Sequence, residues 1–297
     1  MAASTVAAPR TAAASGKKRR PRGLPSIKTA IVAGVAYIIG IIFILPYVEM
    51  VITALRPQNE LLDRDYLPRH FNWSIFSSMW GANLNITSGV ENSLEIAGGA
   101  TIVVLLVALP AAYYTARRRF RGRGAFLLLV LATQILQPTV LIVGIYKEFI
   151  NFSLENISPV FSLILVNAAF NLAFSIWILN AYIGSIPAEL EEAAMVDGTS
   201  RLGALFKVTI PIAMPGIVTA LIFTFIAAWN EFITALTLTS NPNQYPLTVV
   251  MDGFRGAYEV DWQHLFAASV IATIPVLILF AFIERRIVGG LTAGSIK

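Results

Sequence analysis

The sequence has 297 residues, of which 56% are hydrophobic and only 13% are charged, and its mean hydropathy is +0.70. Because soluble domains carry about 25% charged residues, this composition nearly excludes an ordinary water-soluble enzyme. The absence of cysteine excludes disulfides, thiolate metal sites and a thiol nucleophile. The net charge is +5, and the type of partner that it indicates depends on where the charges lie along the chain.

Most of the apolar residues lie in six intervals that contain no Asp, Glu, Lys or Arg. A helix needs about 20 residues to cross about 30 Å of hydrocarbon, and one charge near the bilayer centre costs at least about 2.5 kcal/mol. The intervals are 29–48, 96–116, 124–146, 156–188, 208–230 and 265–283. The sequence therefore predicts an all-α integral membrane protein with six transmembrane helices.

Two details of these spans can be predicted as well. The fourth interval is too long for one span, so we expect its helix to cover residues 159–182. Pro110, Pro138 and Pro275 fall within spans, where we expect neighbouring helices to satisfy the backbone groups that proline leaves unpaired.

The basic residues predict the orientation of these helices. One face contains 17 basic and 5 acidic residues, in segments 1–28, 117–123, 189–207 and 284–297. The opposite face contains 5 basic and 12 acidic residues, in segments 49–95, 147–155 and 231–264. Because short basic segments stay in the cytoplasm, we expect both termini to be cytoplasmic. The arginine-rich loop 117–123 sets topology and could also contact anionic lipid headgroups.

Residues 1–28 invite two other interpretations, a nucleic-acid-binding patch and a signal peptide. The apolar run that follows is longer than the hydrophobic region of a signal peptide, and no small-residue cleavage site follows Leu45. We therefore expect a disordered basic cytoplasmic tail over residues 1–28, with no nucleic acid as a partner. Residues 29–286 would form the six-helix domain, and residues 287–297 a cytoplasmic C-terminal tail.

Segment 185–211, between the fourth and fifth spans, has the signals of two short helices. Ser185 can cap the first helix, and acidic residues follow where the helix dipole is positive. We expect this helix to stop at Asp197 and Gly198, since glycine can take the left-handed conformation. Thr199 or Ser200 can cap the second helix, which runs to Pro211. An acidic segment with small apolar residues on a basic face is either a docking element for another protein or a solvated interfacial helix.

The same segment resembles the EAA loop of the integral membrane subunits of bacterial ABC importers. Glu192-Ala193-Ala194 is followed by Gly198 and then by aliphatic Val208 and Ile210 before Pro211. Three further matches are Asp197 before the glycine, the sequence Trp-Asn-Glu-Phe at 229–232, and the terminal segment 290–297. Together they resemble the second, six-helix permease of maltose-type carbohydrate-uptake systems. The resemblance implies a type I ABC importer permease in the bacterial inner membrane.

The resemblance also implies partners for the chain. These would be a second permease subunit in a heterodimer, two ATPase subunits, an extracytoplasmic solute-binding protein and membrane lipid. The chain has no G-x-x-x-x-G-K-[ST] phosphate loop, so we expect it not to be an enzyme. We expect it to hold no cofactor, since ATP and Mg would be bound by the partner ATPase subunits.

Two groups of residues would contact the ATPase by this resemblance. The coupling residues are Glu191, Glu192, Ala193, Ala194, Met195, Asp197, Gly198 and Pro211. The tail residues are Gly290, Leu291, Thr292, Ala293 and Gly294. A flexible end without contacts is the alternative for the last residues of the chain.

Polar residues inside the spans are candidates for a translocation path, since amides, carboxylates and aromatic rings bind sugars. They are Gln137, Asn167, Asn171, Trp229, Asn230 and Glu231. For any single amide, an interhelical hydrogen bond is an alternative role. Glu231 could lie either at the water interface or in the cavity. These polar residues also leave open a second function, an ATP-independent secondary transporter or an intramembrane enzyme.

The external segments could contact the solute-binding protein. In the resemblance, the loop 241–264 reaches into that protein, with Asn241, Asn243, Gly253, Gly256 and Tyr258 as candidates. An interfacial aromatic belt is the alternative. His70 and His264 have no second histidine at metal-ligand spacing, so we expect them to be solvated and predict no metal site. No sequence motif of a catalytic site is present.

Overall fold

The computed structural model describes residues 27–60, 68–81, 84–151, 158–256 and 258–293, without the side chains of residues 30 and 284–293. Most of the predicted basic tail and Gly294 lie outside the described residues. Within these ranges the protein is helical, and the only β pairing is an isolated antiparallel bridge between Arg255 and Val260.

Thirteen α-helices follow one another in these ranges. They are α1 Ile27–Leu55, α2 Ser74–Ser78, α3 Ile86–Arg117, α4 Arg123–Thr133, α5 Pro138–Asn151, α6 Pro159–Ser185, α7 Glu189–Val196, α8 Arg201–Ala204, α9 Ile210–Ile212, α10 Met214–Trp229, α11 Ile233–Leu238, α12 Leu247–Asp252 and α13 Trp262–Ala293. A π-helical turn, Leu205–Thr209, joins α8 to α9.

Four helices in these ranges are long and apolar enough to cross a membrane: α1, α3, α6 and the part of α13 up to Ile283. Two bent pairs raise the number to six if each pair is one span. The predicted fourth helix is confirmed, since α6 covers Pro159–Ser185. The predicted C-terminal tail begins within a helix, because α13 continues to Ala293.

The interval 124–146 is not one straight helix, which corrects the sequence prediction. Helices α4 and α5 meet at 91° across a short break. Pro138 is the first residue of α5 rather than a tolerated interior proline. Proline lacks an N–H and disfavours helical geometry in the residue before it. A helix therefore begins at Pro138 more easily than it passes through it.

The interval 208–230 is also broken. The segment from Arg201 to Ile212 meets α10 at 74°, and the break is at Ala213, which is buried. Pro211 lies in the first turn of α9 and Pro215 in that of α10. Each proline can start a helix but removes a hydrogen bond from a helix that continues through it.

The chain divides into two units, residues 1–47 and 48–297. The core of the second unit is built around the packing of α3 on α6 and α10. The alanines of α3 at 97, 100, 108 and 112 are buried together with Val104, and small residues such as alanine let helices approach closely in a membrane. On α10, a Cβ at Gly216 would lie 2.4 Å from Tyr182 Cγ of α6, so only glycine leaves room for that ring.

Candidate functional site

The connection from α6 to α7 is short and places α7 at the end of α6. Helix α6 ends at Ser185, Ile186 is extended, and α7 begins at Glu189. Ser185 does not cap α7, contrary to the sequence prediction. Its hydroxyl belongs to the last turn of α6, where it donates to the Tyr182 carbonyl at 2.7 Å.

The turn after α7 agrees with the sequence prediction. Gly198 has φ +87°, in the left-handed region that favours glycine. The Thr199 N–H donates to the Ala194 carbonyl at 3.0 Å and closes the helix end. Ser200 caps α8, since its hydroxyl accepts the Gly203 N–H at 3.1 Å. These contacts fix the angle between α7 and α8.

Glu191 is buried and is the centre of a polar cluster. Arg117 Nε and Thr209 Oγ1 donate to its Oε1 at 2.7 and 2.6 Å, and the Tyr113 hydroxyl donates to Oε2 at 2.9 Å. Arg117 Nη2 also lies 2.7 Å from Oε1, in an ion-pair contact without hydrogen-bond alignment. Arg117 Nη1 donates to the Ile186 carbonyl at 2.8 Å. One carboxylate thus joins α7 to α3 and to the π-helical turn.

This cluster was not foreseen from the sequence. The sequence predicts that Arg117 belongs to a loop that sets topology and that Glu191 contacts another protein. Only 13% of the Arg117 side chain and 9% of the Glu191 side chain are exposed. One feature of the sequence could have indicated it. Glu191 and Glu192 are about 100° apart on a helix, so they cannot both face outwards equally and one of them is a candidate for burial.

The other predicted coupling residues lie at or near the surface of α7 and its flanks. Glu192, Ala193, Asp197, Gly198 and Pro211 are exposed, whereas Ala194 and Met195 are half-buried. A cavity of about 350 Å³ lies beside α7, and Glu192, Met195, Arg118 and Arg201 are among its lining residues. The exposed side of α7 together with this cavity forms a surface that another protein could contact.

The predicted translocation residues do not form one open site. Asn167, Asn171 and Asn230 each donate to the carbonyl four residues earlier, at 2.9 Å. Trp229 is buried and donates from Nε1 to the Ala272 carbonyl at 3.2 Å. Gln137 is exposed near the break between α4 and α5. Three of these contacts are local to one helix, and the Trp229 contact joins α10 to α13. A role of these residues in a translocation path stays a prediction.

Glu231 is a helix cap in this structure. Its two carboxylate oxygens accept the Thr234 and Ala235 N–H groups, at 2.7 and 3.1 Å, at the start of α11. Glu231 and Asn167 also line one cavity, whose volume of about 10 Å³ has room for about one water molecule. The cavity joins two of the predicted residues but is too small for a sugar.

The predicted binding-protein loop contains both anchored and exposed residues. The Asn241 side chain accepts the Asn243 N–H at 3.1 Å, and Asn92 of α3 donates to the Asn243 carbonyl at 2.9 Å. Gly253 follows α12, and Gly256 and Tyr258 lie between the two bridge residues. The Tyr258 side chain is fully exposed. The loop is therefore fixed at its base and exposes the aromatic rings of Tyr258 and Trp262.

The two histidines differ from each other. His70 is exposed, as predicted. His264 is half-buried: its Nδ1 lies 2.7 Å from Asp261 Oδ2, and its ring stacks on Phe254 at 5.7 Å. The prediction of a solvated His264 is therefore wrong, because the loop folds back onto its ring. Among the described residues, no group of three or more His, Asp or Glu side chains could hold a metal ion.

The predicted tail residues Gly290 to Ala293 form the end of α13, and Gly294 lies outside the described residues. Their backbone continues the last helix rather than a separate extended tail. A contact of this end with another protein stays a prediction.

Comparison with known proteins assigns the chain to a family. Residues 105–292 match the family described as binding-protein-dependent transport system inner membrane component. The diacetylchitobiose uptake system permease protein NgcG of Streptomyces coelicolor is 31% identical over 261 residues, which cover 87% of this chain and 85% of that protein. The trehalose/maltose transport system permease protein MalG of Thermococcus litoralis is 34% identical over 215 residues, 72% of this chain and 77% of that protein.

A solved structure has the same fold. A chain of a bacterial ABC transporter involved in the import of the acidic polysaccharide alginate superposes with a TM-score of 0.72 and 22% identity, over 88% of this chain and 98% of that chain. The helical architecture and the sequence matches agree with each other. The chain belongs to the family of inner-membrane components of binding-protein-dependent transport systems.

Proposed function

We propose that this protein is a permease subunit of an ATP-driven importer and forms half of the translocation pathway for a carbohydrate. The carried solute would be a sugar, an oligosaccharide or a polyol. The sugar class rests on relatives whose names specify diacetylchitobiose, trehalose or maltose, and sulfoquinovosyl glycerol. As a family member, the protein is a multi-pass component of the bacterial inner membrane. The family is one of transport proteins, and it gives no support to the alternative of a secondary transporter or an intramembrane enzyme.

In this proposal the protein has six spans, and each bent pair of helices is one of them. Four single helices among the described residues are long and apolar enough to cross a membrane, and the two bent pairs raise the number of spans to six. Six spans place loop 117–123, the α7 region and both termini on one side. The excess of basic residues in those segments supports the cytoplasm as that side.

The observation that carries the function is the arrangement of α7. It follows a long apolar helix directly, exposes Glu192 and Ala193, and is held at its inner side by Glu191. We propose that the outer side of α7 docks on an ATPase subunit, with Ala193 allowing close approach and Glu192 forming a charged contact. ATP-driven closure of an ATPase pair would then rock the permease between inward-open and outward-open states.

The remaining partners follow from the same proposal. A second permease subunit would complete the pathway, and two ATPase subunits would bind ATP and Mg. An extracytoplasmic binding protein would deliver the solute, with Tyr258 at its contact surface. The solved complex of the alginate transporter with its oligosaccharide-bound periplasmic protein is an example of such delivery. The end of α13 would contact the ATPase pair.

Reconstitution tests this function. The chain would be purified with its second permease and its ATPase, placed in vesicles with the binding protein outside, and assayed with radiolabelled sugars. We expect uptake that requires ATP inside the vesicles and continues when the proton gradient is collapsed. Uptake that continues after the ATPase is removed but stops when the proton gradient is collapsed would contradict the proposal.

A double variant tests the role of α7 in the same assay. Glu192→Lys combined with Gly198→Pro alters the exposed charge and the left-handed turn. We expect this variant to lose co-purification with the ATPase and to lose uptake. If it binds and stimulates the ATPase as well as the unmodified chain does, α7 is not the docking element.

A further inference from the structure

We propose that Arg117 and Glu191 are positioning residues for transport, and that their buried ion pair makes α7 and the adjoining end of α3 move as one body. This inference rests on the proposed function, in which α7 receives force from an ATPase. It assigns a role to Arg117, which lies outside the EAA-like sequence. The charge pattern of the sequence explains this arginine only as one of several positive charges that set topology.

The first step concerns how α7 is held. Glu191 is the only buried residue of α7, whereas its apolar Leu190 and Val196 are exposed. An eight-residue helix is not stable by itself in water, so its position depends on what it contacts. Ala194 and Met195 are only half-buried, so the one fully buried contact of α7 is the polar contact of the Glu191 carboxylate.

The second step concerns where this contact leads. Glu191 pairs with Arg117, the last residue of α3, and accepts a hydrogen bond from Tyr113 one turn earlier in that helix. Thr209 adds a contact from the π-helical turn that precedes α10, and Arg117 also holds the carbonyl of Ile186 before α7. A displacement of α7 therefore acts on α3 and on the approach to α10, besides the covalent link through α6.

The third step concerns rigidity beyond the cluster. Between Tyr113 and Arg117 on α3, Thr115 accepts a hydrogen bond from Asn180 of α6 at 2.7 Å. Helix α3 continues through a buried stripe of small residues against α6. Closely packed interiors transmit displacement rather than absorb it. A displacement of α7 would therefore be transmitted through the end of α3 to the packed helices of the membrane domain.

Neighbouring residues provide a matched control. Arg118 and Arg119 follow Arg117 in the same basic loop, but both are exposed and neither has a hydrogen bond or ion pair from its side chain to Glu191. A role in topology would be shared by these arginines, because each contributes one positive charge. A positioning role would belong to Arg117 alone.

The test compares Arg117→Gln and Glu191→Gln with the control Arg119→Gln in the reconstituted complex. Three quantities are measured: the amount of ATPase that co-purifies, the rate of ATP hydrolysis, and the number of sugar molecules imported per ATP. We expect ATPase binding to stay within about twofold for all three variants. Import per ATP should fall about tenfold in the first two variants only, within the usual range of coupling between sites.

A crosslinking experiment tests the same idea without relying on a loss of function. The chain has no cysteine, so Arg117→Cys with Glu191→Cys introduces the only two thiols. A bifunctional methanethiosulfonate reagent can then replace the ion pair by a covalent bridge that a reducing agent removes. We expect the bridge to restore import per ATP to at least half of the unmodified value, and reduction to abolish this gain.

The outcomes separate this inference from the proposed function. If the unmodified complex shows no ATP-dependent uptake, the proposed function fails. If the unmodified complex is coupled but Arg117→Gln imports as much per ATP, only the positioning role fails. Loss of ATPase binding in Arg117→Gln, or a crosslinked chain that transports no better than the reduced one, also overturns the positioning role.

Discussion

Glu191 and Glu192 are consecutive residues of α7 whose carboxylates lie in different environments. Glu191 is buried and contacts Arg117, Tyr113 and Thr209, whereas Glu192 is exposed. The two side chains differ by about 100° around the helix, which is enough to direct one inwards and one outwards. Two similar acids thus have separate expected roles, one in holding the helix and one in contacting a partner.

The first prediction concerns the stability of Glu191 variants. Glu191→Ala leaves the Arg117 guanidinium largely buried without its carboxylate, and removing one member of a buried pair costs about 3 kcal/mol. Glu192→Ala should change stability by less than about 0.5 kcal/mol, since its side chain is exposed. Thermal unfolding in detergent measures both. Equal melting temperatures for the two variants would show that the buried pair does not stabilise the fold.

The second prediction concerns the turn after α7. Gly198 has φ +87° with no atom within 4 Å of an added Cβ, so Gly198→Ala is disfavoured by backbone strain and not by a clash. The strain costs about 1–2 kcal/mol, and we expect weaker ATPase binding in a pull-down. Gly198→Asn should bind more strongly than Gly198→Ala, because asparagine tolerates the left-handed region better.

Gly184→Ala is the control for this turn. Gly184 also has open space at its Cβ position but lies in α6 without a positive φ. We expect ATPase binding equal to that of the unmodified chain. If Gly198→Ala and Gly184→Ala bind the ATPase alike, the left-handed turn is not required for docking.

The third prediction concerns the contact of α10 with α6. In Gly216→Ala the new Cβ would lie 2.4 Å from Tyr182 Cγ and 2.7 Å from its Cβ. Such overpacking costs about 1–3 kcal/mol, which should appear as a lower melting temperature. Adding Tyr182→Ala removes the ring and should restore part of the loss. Gly98→Ala, with nothing within 4 Å, is the control, and an equal loss there would contradict the close contact.

The fourth prediction separates two roles of Glu231. As the cap of α11 it accepts two backbone N–H groups, and losing a cap costs about 1 kcal/mol. We expect Glu231→Ala to lower the melting temperature while the concentration of solute-loaded binding protein that gives half-maximal uptake stays the same. Glu231→Gln should be milder, since its amide oxygen can still accept one N–H. A large shift in the half-maximal concentration without a change in stability would instead indicate contact with the solute or with its binding protein.

Several elements could be predicted from the sequence because their causes are local. The charge-free intervals predicted the apolar helices, and α6 is found within three residues of its expected end. Gly198 and Ser200 were identified because a left-handed turn and a helix cap depend on one or two adjacent residues. The resemblance to ABC importer permeases rested on such short motifs, and the family assignment agrees with it.

Other features were beyond the reach of the sequence because they depend on distant partners. Pro138, Pro211 and Pro215 mark positions in the sequence where a helix can break, but the bends of 91° and 74° could not be predicted, because the angle between two helices depends on what they pack against. The role of Asn167 and Glu231 in a sugar path stays a prediction, because the hydrogen bonds that they make are to backbone groups only three or four residues away.

The contrast is clearest at Arg117 and Glu191, which are 74 positions apart in the chain. The sequence by itself determined the family of the protein, its long unbroken apolar helices and the short acidic helix α7. Only the tertiary structure decided which glutamate turns inwards and which arginine meets it. Helix type and turns follow from neighbouring residues, whereas the burial of a charge is stable only where a distant partner can compensate for lost water.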